Sequence, residues 1–217
     1  MGTSHWEHWH EPYDDPTSSL SARLAEVQRQ FTYVLDERRE ARIALASMCA
    51  GQGRDVLEVL ATHRRGRDVR ARLVELDPRN IQYAEAYARE HALGNVEILA
   101  RDAGNSDAYV GIAPAHVVVA CGVFGNLGQG DIARTIEWLP ALCAPGAHVI
   151  WTRHRRTPDR TPWIRHLFGA AGFEEVDFVA PDDRVFTVGT CQLAREPDAF
   201  VGGQQLFSFV GDGEHPA

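Results

Sequence analysis

Two glycines flank a single residue in Ala50-Gly51-Gln52-Gly53-Arg54-Asp55, directly after an apolar run. Glycines at such a point let the backbone turn tightly and approach a ligand that a Cβ would exclude. Two later runs end in carboxylates: Arg72-Leu73-Val74-Glu75-Leu76-Asp77-Pro78 and Leu99-Ala100-Arg101-Asp102-Ala103. Glu75 is placed to accept hydrogen bonds from both hydroxyls of a ribose, and Asp102 to accept one from an adenine amino group. A dinucleotide fingerprint needs a third small residue where this chain has Val56, so a smaller adenosyl ligand fits better. Helix capping is the competing role for these acids. It suits Asp77 well, because Pro78 follows in a first-turn position.

A different chemistry is offered by Trp151-Thr152-Arg153-His154-Arg155-Arg156. Arginine forks match carboxylates and phosphates, so the run can hold an anionic small substrate with His154 as a base. Its alternative is a solvated loop paired with Asp159 or with the acidic N-terminus. So many cationic or titratable groups repel a divalent ion, and no metal is expected. Asn126, in Cys121-Gly122-Val123-Phe124-Gly125-Asn126, can orient a polar acceptor or simply make a turn.

These groups need a scaffold that brings strand ends together, and the hydropathy pattern supplies one. An amphipathic helix runs from Leu20 to near Glu40, behind a cap signal at Thr17-Ser18-Ser19. Strand-length runs then alternate with helical stretches: Ile43–Cys49, Val69–Leu76, Val96–Ala100, His116–Cys121 and Ala147–Thr152. Five strands with crossovers make a parallel sheet covered on both faces. Glu174–Ala180 and Arg184–Leu193 leave no room for a helix between them, which predicts an antiparallel hairpin. The expected fold is a doubly wound α/β sheet of seven strands, five parallel plus a C-terminal hairpin. Residues 1–40 are expected to form an N-terminal lid segment and helix, 41–195 the ligand-binding domain, and 196–217 a partly packed tail. Within that tail, 206–210 suit an edge segment.

The 217 residues carry 22 Lys+Arg against 30 Asp+Glu, a net charge of −8. That balance argues against coating a nucleic acid, which needs clustered cations. No apolar stretch reaches the roughly 18 residues of a membrane helix. The N-terminus lacks the pattern of a secretory signal. Cys49, Cys121, Cys143 and Cys191 lie far apart, as free thiols of a reducing, cytoplasmic compartment do. His5, His8 and His10 lack the acidic or thiol framework of a metal site. Trp9 and Tyr13, ahead of the first helix, suit a lid that closes over a cationic ligand by cation–π contact.

Ser47–Gly53, Val74–Pro78, Arg101–Ala103 and the strand Val117–Cys121 resemble the successive motifs of class I S-adenosylmethionine-dependent methyltransferases. The resemblance covers roughly residues 43–193, hairpin included, and departs at Ala50, where many members have glycine. Cys49–Asp55 and Cys121–Asn126 are also similar to an actinobacterial-type branch. The resemblance implies S-adenosylmethionine as donor and S-adenosylhomocysteine as product. It implies a cofactor site of Ala50, Gly51, Gly53, Asp55, Glu75, Leu76, Asp102, Ala103, Cys121 and Gly122. Gly51 and Gly53 would face the methionine part, Glu75 the ribose, Asp102 and Ala103 the adenine, and Cys121 and Gly122 the underside. His154, Asn126, Tyr13 and Arg153 are the candidates for chemistry.

Methylases of DNA amino groups resemble one another in an Asp/Asn-Pro-Pro-Tyr/Phe run after the fourth strand, where this chain has Cys121-Gly122-Val123-Phe124. The expected acceptor is therefore a small, polar or anionic metabolite, with neither nucleic acid nor membrane as partner. Three other readings remain: cyclisation or elimination within the sulfonium, releasing methylthioadenosine; a non-catalytic cofactor-binding domain; and, weakest, a NAD-dependent oxidoreductase. A homodimer is compatible with the sequence, which does not specify oligomeric state.

Overall fold

The computed structural model describes residue 15 and residues 17–209. The chain runs α1 (Ser19–Glu37), β1 (Ile43–Met48), α2 (Arg54–Thr62), β2 (Val69–Glu75), α3 (Pro78–Glu90), β3 (Val96–Ala100), β4 (Ala115–Ala120), α4 (Gln129–Leu142), β5 (Cys143–His154), α5 (Thr161–Ala170), β6 (Phe173–Val179) and β7 (Phe186–Leu193). One seven-stranded sheet has the order β3-β2-β1-β4-β5-β7-β6. The first five strands pair in parallel, and β7 runs antiparallel between β5 and β6. This is the layout expected from the alternation and the hairpin.

Central position explains composition. β1 (IALASM) and β4 (AHVVVA) are buried almost throughout, so both faces demand apolar residues. β2 lies further out and alternates, with Arg70 exposed and Arg72 half-buried among apolar neighbours. In α1 the buried residues Val27, Phe31, Val34 and Leu35 recur at helical spacing, and Ser18 caps the helix by accepting the Ser21 N–H at 3.0 Å. The helix stops at Glu37, short of Glu40, because Arg38 is extended and its guanidinium donates to the Gly146 carbonyl at 2.6 Å.

Two apolar clusters cover the two faces of the sheet. One contains an aromatic stack in which the Trp151 and Phe168 centroids lie 5.5 Å apart. Phe124 and Phe173 meet Phe168 edge-on. Trp151 needs Gly189 on the neighbouring strand, since a Cβ there would come within 2.6 Å of its indole.

Two boundaries differ from expectation. β5 starts at Cys143, directly from α4, and pairs with Ala115 before a register irregularity. The described part of the tail does not extend the sheet, whose edges are β3 and β6. It makes one antiparallel bridge, Asn105 with Gln205, and buries Leu206 and Phe207. Gly104 permits this, because a Cβ there would sit 2.2 Å from the Phe207 carbonyl. Val210 lies outside the described residues.

Candidate functional site

Strand order reverses between β1 and β4, and in such sheets ligands bind beyond the carboxyl ends of the strands at that point. Beyond Met48 the chain leaves the sheet abruptly. Cys49 (φ 51°), Gly51 (φ 56°) and Gly53 (φ 69°) are all left-handed. Gly53 also packs: a Cβ on it would lie 2.6 Å from Leu73 Cδ2. Its glycine thus serves the helix–strand contact as well as the turn. Ala50 holds the loop to the next strand, its N–H donating to the Val74 carbonyl at 2.9 Å.

Glu75, the last residue of β2, reaches back into this loop. Its Oε2 accepts the Gly51 N–H at 2.6 Å, and Oε1 accepts the N–H groups of Leu76 at 2.9 Å and Asp77 at 2.8 Å. A carboxylate offers about four acceptor positions, so three backbone donors leave roughly one, on Oε2. Asp77 is a cap: its carboxylate accepts the Arg79 N–H at 2.9 Å and pairs with that arginine's guanidinium at 2.8 Å. Leu76 presents 61% of its surface beside Glu75, an unusual exposure for leucine and a platform for a flat ring. Asp102 is exposed, and its Oδ1 accepts the Gly104 N–H at 2.8 Å. Ala103 is buried, with its carbonyl bound by the Tyr109 hydroxyl at 2.8 Å.

Between this loop and α1 lies a cleft of about 80 Å³, lined by Arg23, Leu24, Val27, Cys49–Asp55 and Cys121. That is room for a small head group, far below the roughly 300–1,000 Å³ of a site enclosing a whole ligand. Asp55 stands in the first turn of α2. Burial pushes its carboxyl up to about 6, although Arg23 and a hydrogen bond with Cys121 oppose the shift. Its Oδ1 is buried with no hydrogen-bond partner. Burial likewise pushes the Cys49 and Cys121 thiols up, so neither is a thiolate nucleophile.

The β4 and β5 ends are tied to each other. Gly122 donates its N–H to Thr152 Oγ1 at 2.8 Å, and its carbonyl accepts the Asn126 side-chain amide at 2.8 Å. Asn126 therefore closes its own turn. His154 lies against Gly125, its Cδ2 3.5 Å from where a Cβ would stand. Its Nδ1 accepts the Arg156 N–H at 3.3 Å, which favours the neutral tautomer with the proton on Nε2.

Arg153 is buried and donates to the Phe124 carbonyl. Burial first, then Arg160, lowers its pKa. Arg155 binds the Pro181 and Arg184 carbonyls and fastens the β6–β7 turn. Arg156 is exposed. Of the expected anion-binding run, two arginines hold loop carbonyls and one faces solvent. Tyr13, Trp9 and the N-terminal histidines lie outside the described residues. Among the described residues no three His, Cys, Asp or Glu side chains gather as a metal ion requires. Arg23, Leu24, Thr152 and the tail segment at Gln204–Phe207 join this region without having been singled out from sequence. Only the helical phase of α1 could have pointed to Arg23 and Leu24.

A search of curated proteins returned no match. Among solved structures, the magnesium protoporphyrin IX methyltransferase of Synechocystis PCC 6803 with bound SAM is similar over 88% of this chain and 91% of its own, at 12% identity and TM-score 0.66. An O-methyltransferase family protein from Burkholderia thailandensis matches 92% of this chain and 70% of its own, at 17% identity and TM-score 0.59. An RNA methyltransferase from Salinibacter ruber, in complex with S-adenosyl-L-homocysteine, matches 83% of this chain and 95% of its own, at 19% identity and TM-score 0.53. These likenesses establish the fold. The sequence itself matches a family profile across residues 20–190, and the chain belongs to the family described as "Putative methyltransferase".

Proposed function

We propose that the protein is an S-adenosylmethionine-dependent methyltransferase whose acceptor is a small, polar or anionic metabolite. Family membership and the solved folds carrying this cofactor or its product support the donor. The residues fit it. Glu75 is clamped on the Gly51 N–H at the mouth of the cleft, with an acceptor position left for a ribose hydroxyl. Leu76 and Asp102 are assigned to the adenine, with Ala103 buried beneath, and Asp55, whose Oδ1 is buried without a partner, lines the cleft assigned to the methionine end. The Glu75–Gly51 contact carries the reading, because it joins the two motifs at the switch point of the sheet.

When bound, the cofactor supplies a methyl group on a sulfonium, activated for in-line displacement. The chain's task is then to hold and dry the reacting pair. Leu24 and Val27 of α1 close one side of the cleft, and the Gly122–Asn126 turn, pinned by Thr152, floors the acceptor side. His154 is assigned as the base for a protonated acceptor. To accept a proton at Nε2 it must carry its own proton on Nδ1 and so give up the bond from the Arg156 backbone N–H, while the exposed Arg156 side chain is assigned to meet an acceptor's anionic group. A net charge of −8 favours a small molecule over a polyanion. The four free thiols favour a reducing cytoplasm.

Calorimetric titration with S-adenosylmethionine, with NAD as control, tests the donor. Micromolar binding to the protein, lost in Glu75→Ala, is expected. Absence of binding, or equal binding by the variant, refutes the site. Recovery of S-adenosylhomocysteine rather than methylthioadenosine after incubation with metabolite pools separates transfer from cyclisation or elimination.

A further inference from the structure

At the end of the sheet opposite the cleft, the loops entering β1, β2, β3 and β4 bound a groove of about 620 Å³. That lies within the roughly 300–1,000 Å³ of ligand pockets. Side chains tie each entering loop to a neighbour. Arg65 donates to the Arg38 and Glu40 carbonyls, Arg70 to that of Gly111, and Asn95 to that of Gly66 at 3.1 Å. The carboxylates of the groove are paired, Asp68 with Arg65 at 3.1 Å and Glu97 with Arg72 at 2.8 Å. Its cations are not. Arg42 and Arg67 are exposed, and their guanidiniums make no hydrogen bond or ion pair among the described residues. Arg70 is exposed as well, and its bond to a neutral carbonyl leaves its charge uncompensated. His116 of β4 adds a fixed donor. Its Nδ1 accepts the Ala44 N–H at 2.9 Å, which puts the proton on Nε2, an atom with no hydrogen-bond partner among the described residues. Three guanidiniums lining one groove repel one another unless an anion lies among them.

We infer that this groove is a second ligand site, for a small organic phosphate monoester. Arg42, Arg67 and Arg70 meet the phosphate oxygens, and His116 donates to one of them from Nε2. A phosphate monoester carries roughly −1.5 to −2 charges at pH 7 and three acceptor oxygens, which suits three guanidiniums and an imidazole N–H. A carboxylate, with one charge and two oxygens, leaves part of this set unmatched. The amino ends of β1, β2 and β3, with Ile112 and Pro114, give the groove apolar surface for the organic part. No Ser, Thr, Cys or Lys lines it, so the site holds its ligand and offers no nucleophile to transform it. It is separate from the donor site proposed above and does not rest on it. A ligand bridging Arg42 and Arg67 also joins the loops before β1 and β2, the strands whose far ends carry Gly51 and Glu75.

Calorimetric titration of the full-length protein with phenyl phosphate, inorganic phosphate and benzoate tests the site. Phenyl phosphate is expected to bind most tightly, because it alone presents both the dianion and an apolar body. Arg42→Gln and Arg67→Gln should each weaken it about 3- to 10-fold, the worth of one exposed charged contact. Arg156→Gln, at the opposite end of the sheet, should bind it as the parent does. S-adenosylhomocysteine and phenyl phosphate should not displace one another. Absence of phenyl phosphate binding, equal binding of benzoate, or unchanged affinity in both groove variants overturns the site and leaves the proposed donor site standing. A loss confined to Arg156→Gln, or competition with S-adenosylhomocysteine, also overturns it by moving the phosphate to the other end of the sheet. Tighter binding of an oligothymidylate of about 15 nucleotides, falling steeply with salt, replaces the small ligand with a nucleic-acid strand.

Discussion

The β1–β2 corner and the β5 end both carry charged side chains bonded to loop backbone, and they spend them differently. At the corner, carboxylates gather N–H groups: Glu75 takes three, Asp77 and Asp102 one each, and acceptor capacity remains toward the cleft. At the β5 end, Arg153 and Arg155 are turned onto carbonyls of Phe124, Pro181 and Arg184, and the Nε of each is buried without a hydrogen-bond partner. The first region shapes a loop around a space. The second fastens loops to one another, so similar local bonding yields an open cleft in one place and a brace in the other.

The largest effect should come from breaking the corner. Glu75→Ala removes the acceptor for three backbone donors at once and is expected to weaken S-adenosylhomocysteine binding at least ~100-fold by calorimetry. Retained affinity would make the corner as purely structural as the β5 end. Asp55→Asn sharpens the contrast by splitting stability from binding. The folded carboxyl, raised from 3.8 to about 6, holds its proton more tightly than the unfolded one. Its contribution is thus most favourable below about pH 4 and is lost as pH rises through about 6. The ligand-free Asn variant should be more stable than the parent at pH 8, by on the order of 2 kcal/mol in urea denaturation, with the gain vanishing toward pH 4. Cofactor affinity of the parent should decline as the pH falls below about 6, and a flat profile would sever Asp55 from the ligand.

Arg153→Met tests the brace. It leaves the Phe124 carbonyl without its donor, at a cost of about 1–3 kcal/mol in denaturation, with S-adenosylhomocysteine affinity nearly unchanged. A loss of cofactor binding larger than the loss of stability would return Arg153 to the site. The smallest effect belongs to Arg156→Ala, within about 0.5 kcal/mol in stability. Its signature is a raised KM for an anionic acceptor, and an unchanged KM removes Arg156 from acceptor recognition.

Strand order and the hairpin were legible because burial on both faces forces apolar runs at β1 and β4, and because too few residues separate β6 from β7 to form a crossover. Gly51 and Glu75 were legible because strand ends are where a doubly wound sheet exposes its loops. Arg153 and Arg155 were harder to judge, since a run of cations records charge and not direction. Strand alternation, which separates 153 and 155 from 154 and 156, was the signal available. Arg23 stayed hidden because its partner surface comes from a distant part of the chain. The tail was expected to pack in part, but its seat on the loop at Gly104–Ser106 stayed hidden for the same reason.

That tail has a consequence in time. Gln204 donates its N–H to Ser106 Oγ, 98 positions earlier, and Leu206 donates to the Gly104 carbonyl, so the loop bearing Asp102 finds its support late in the chain. At about 5–20 residues per second, that support leaves the ribosome roughly 5–20 s after the loop it braces. A nascent chain in which all seven strands have emerged still lacks it. The Asp102 loop is therefore finished after the sheet, and the competence proposed for it, to hold a nucleoside, trails the fold that displays it.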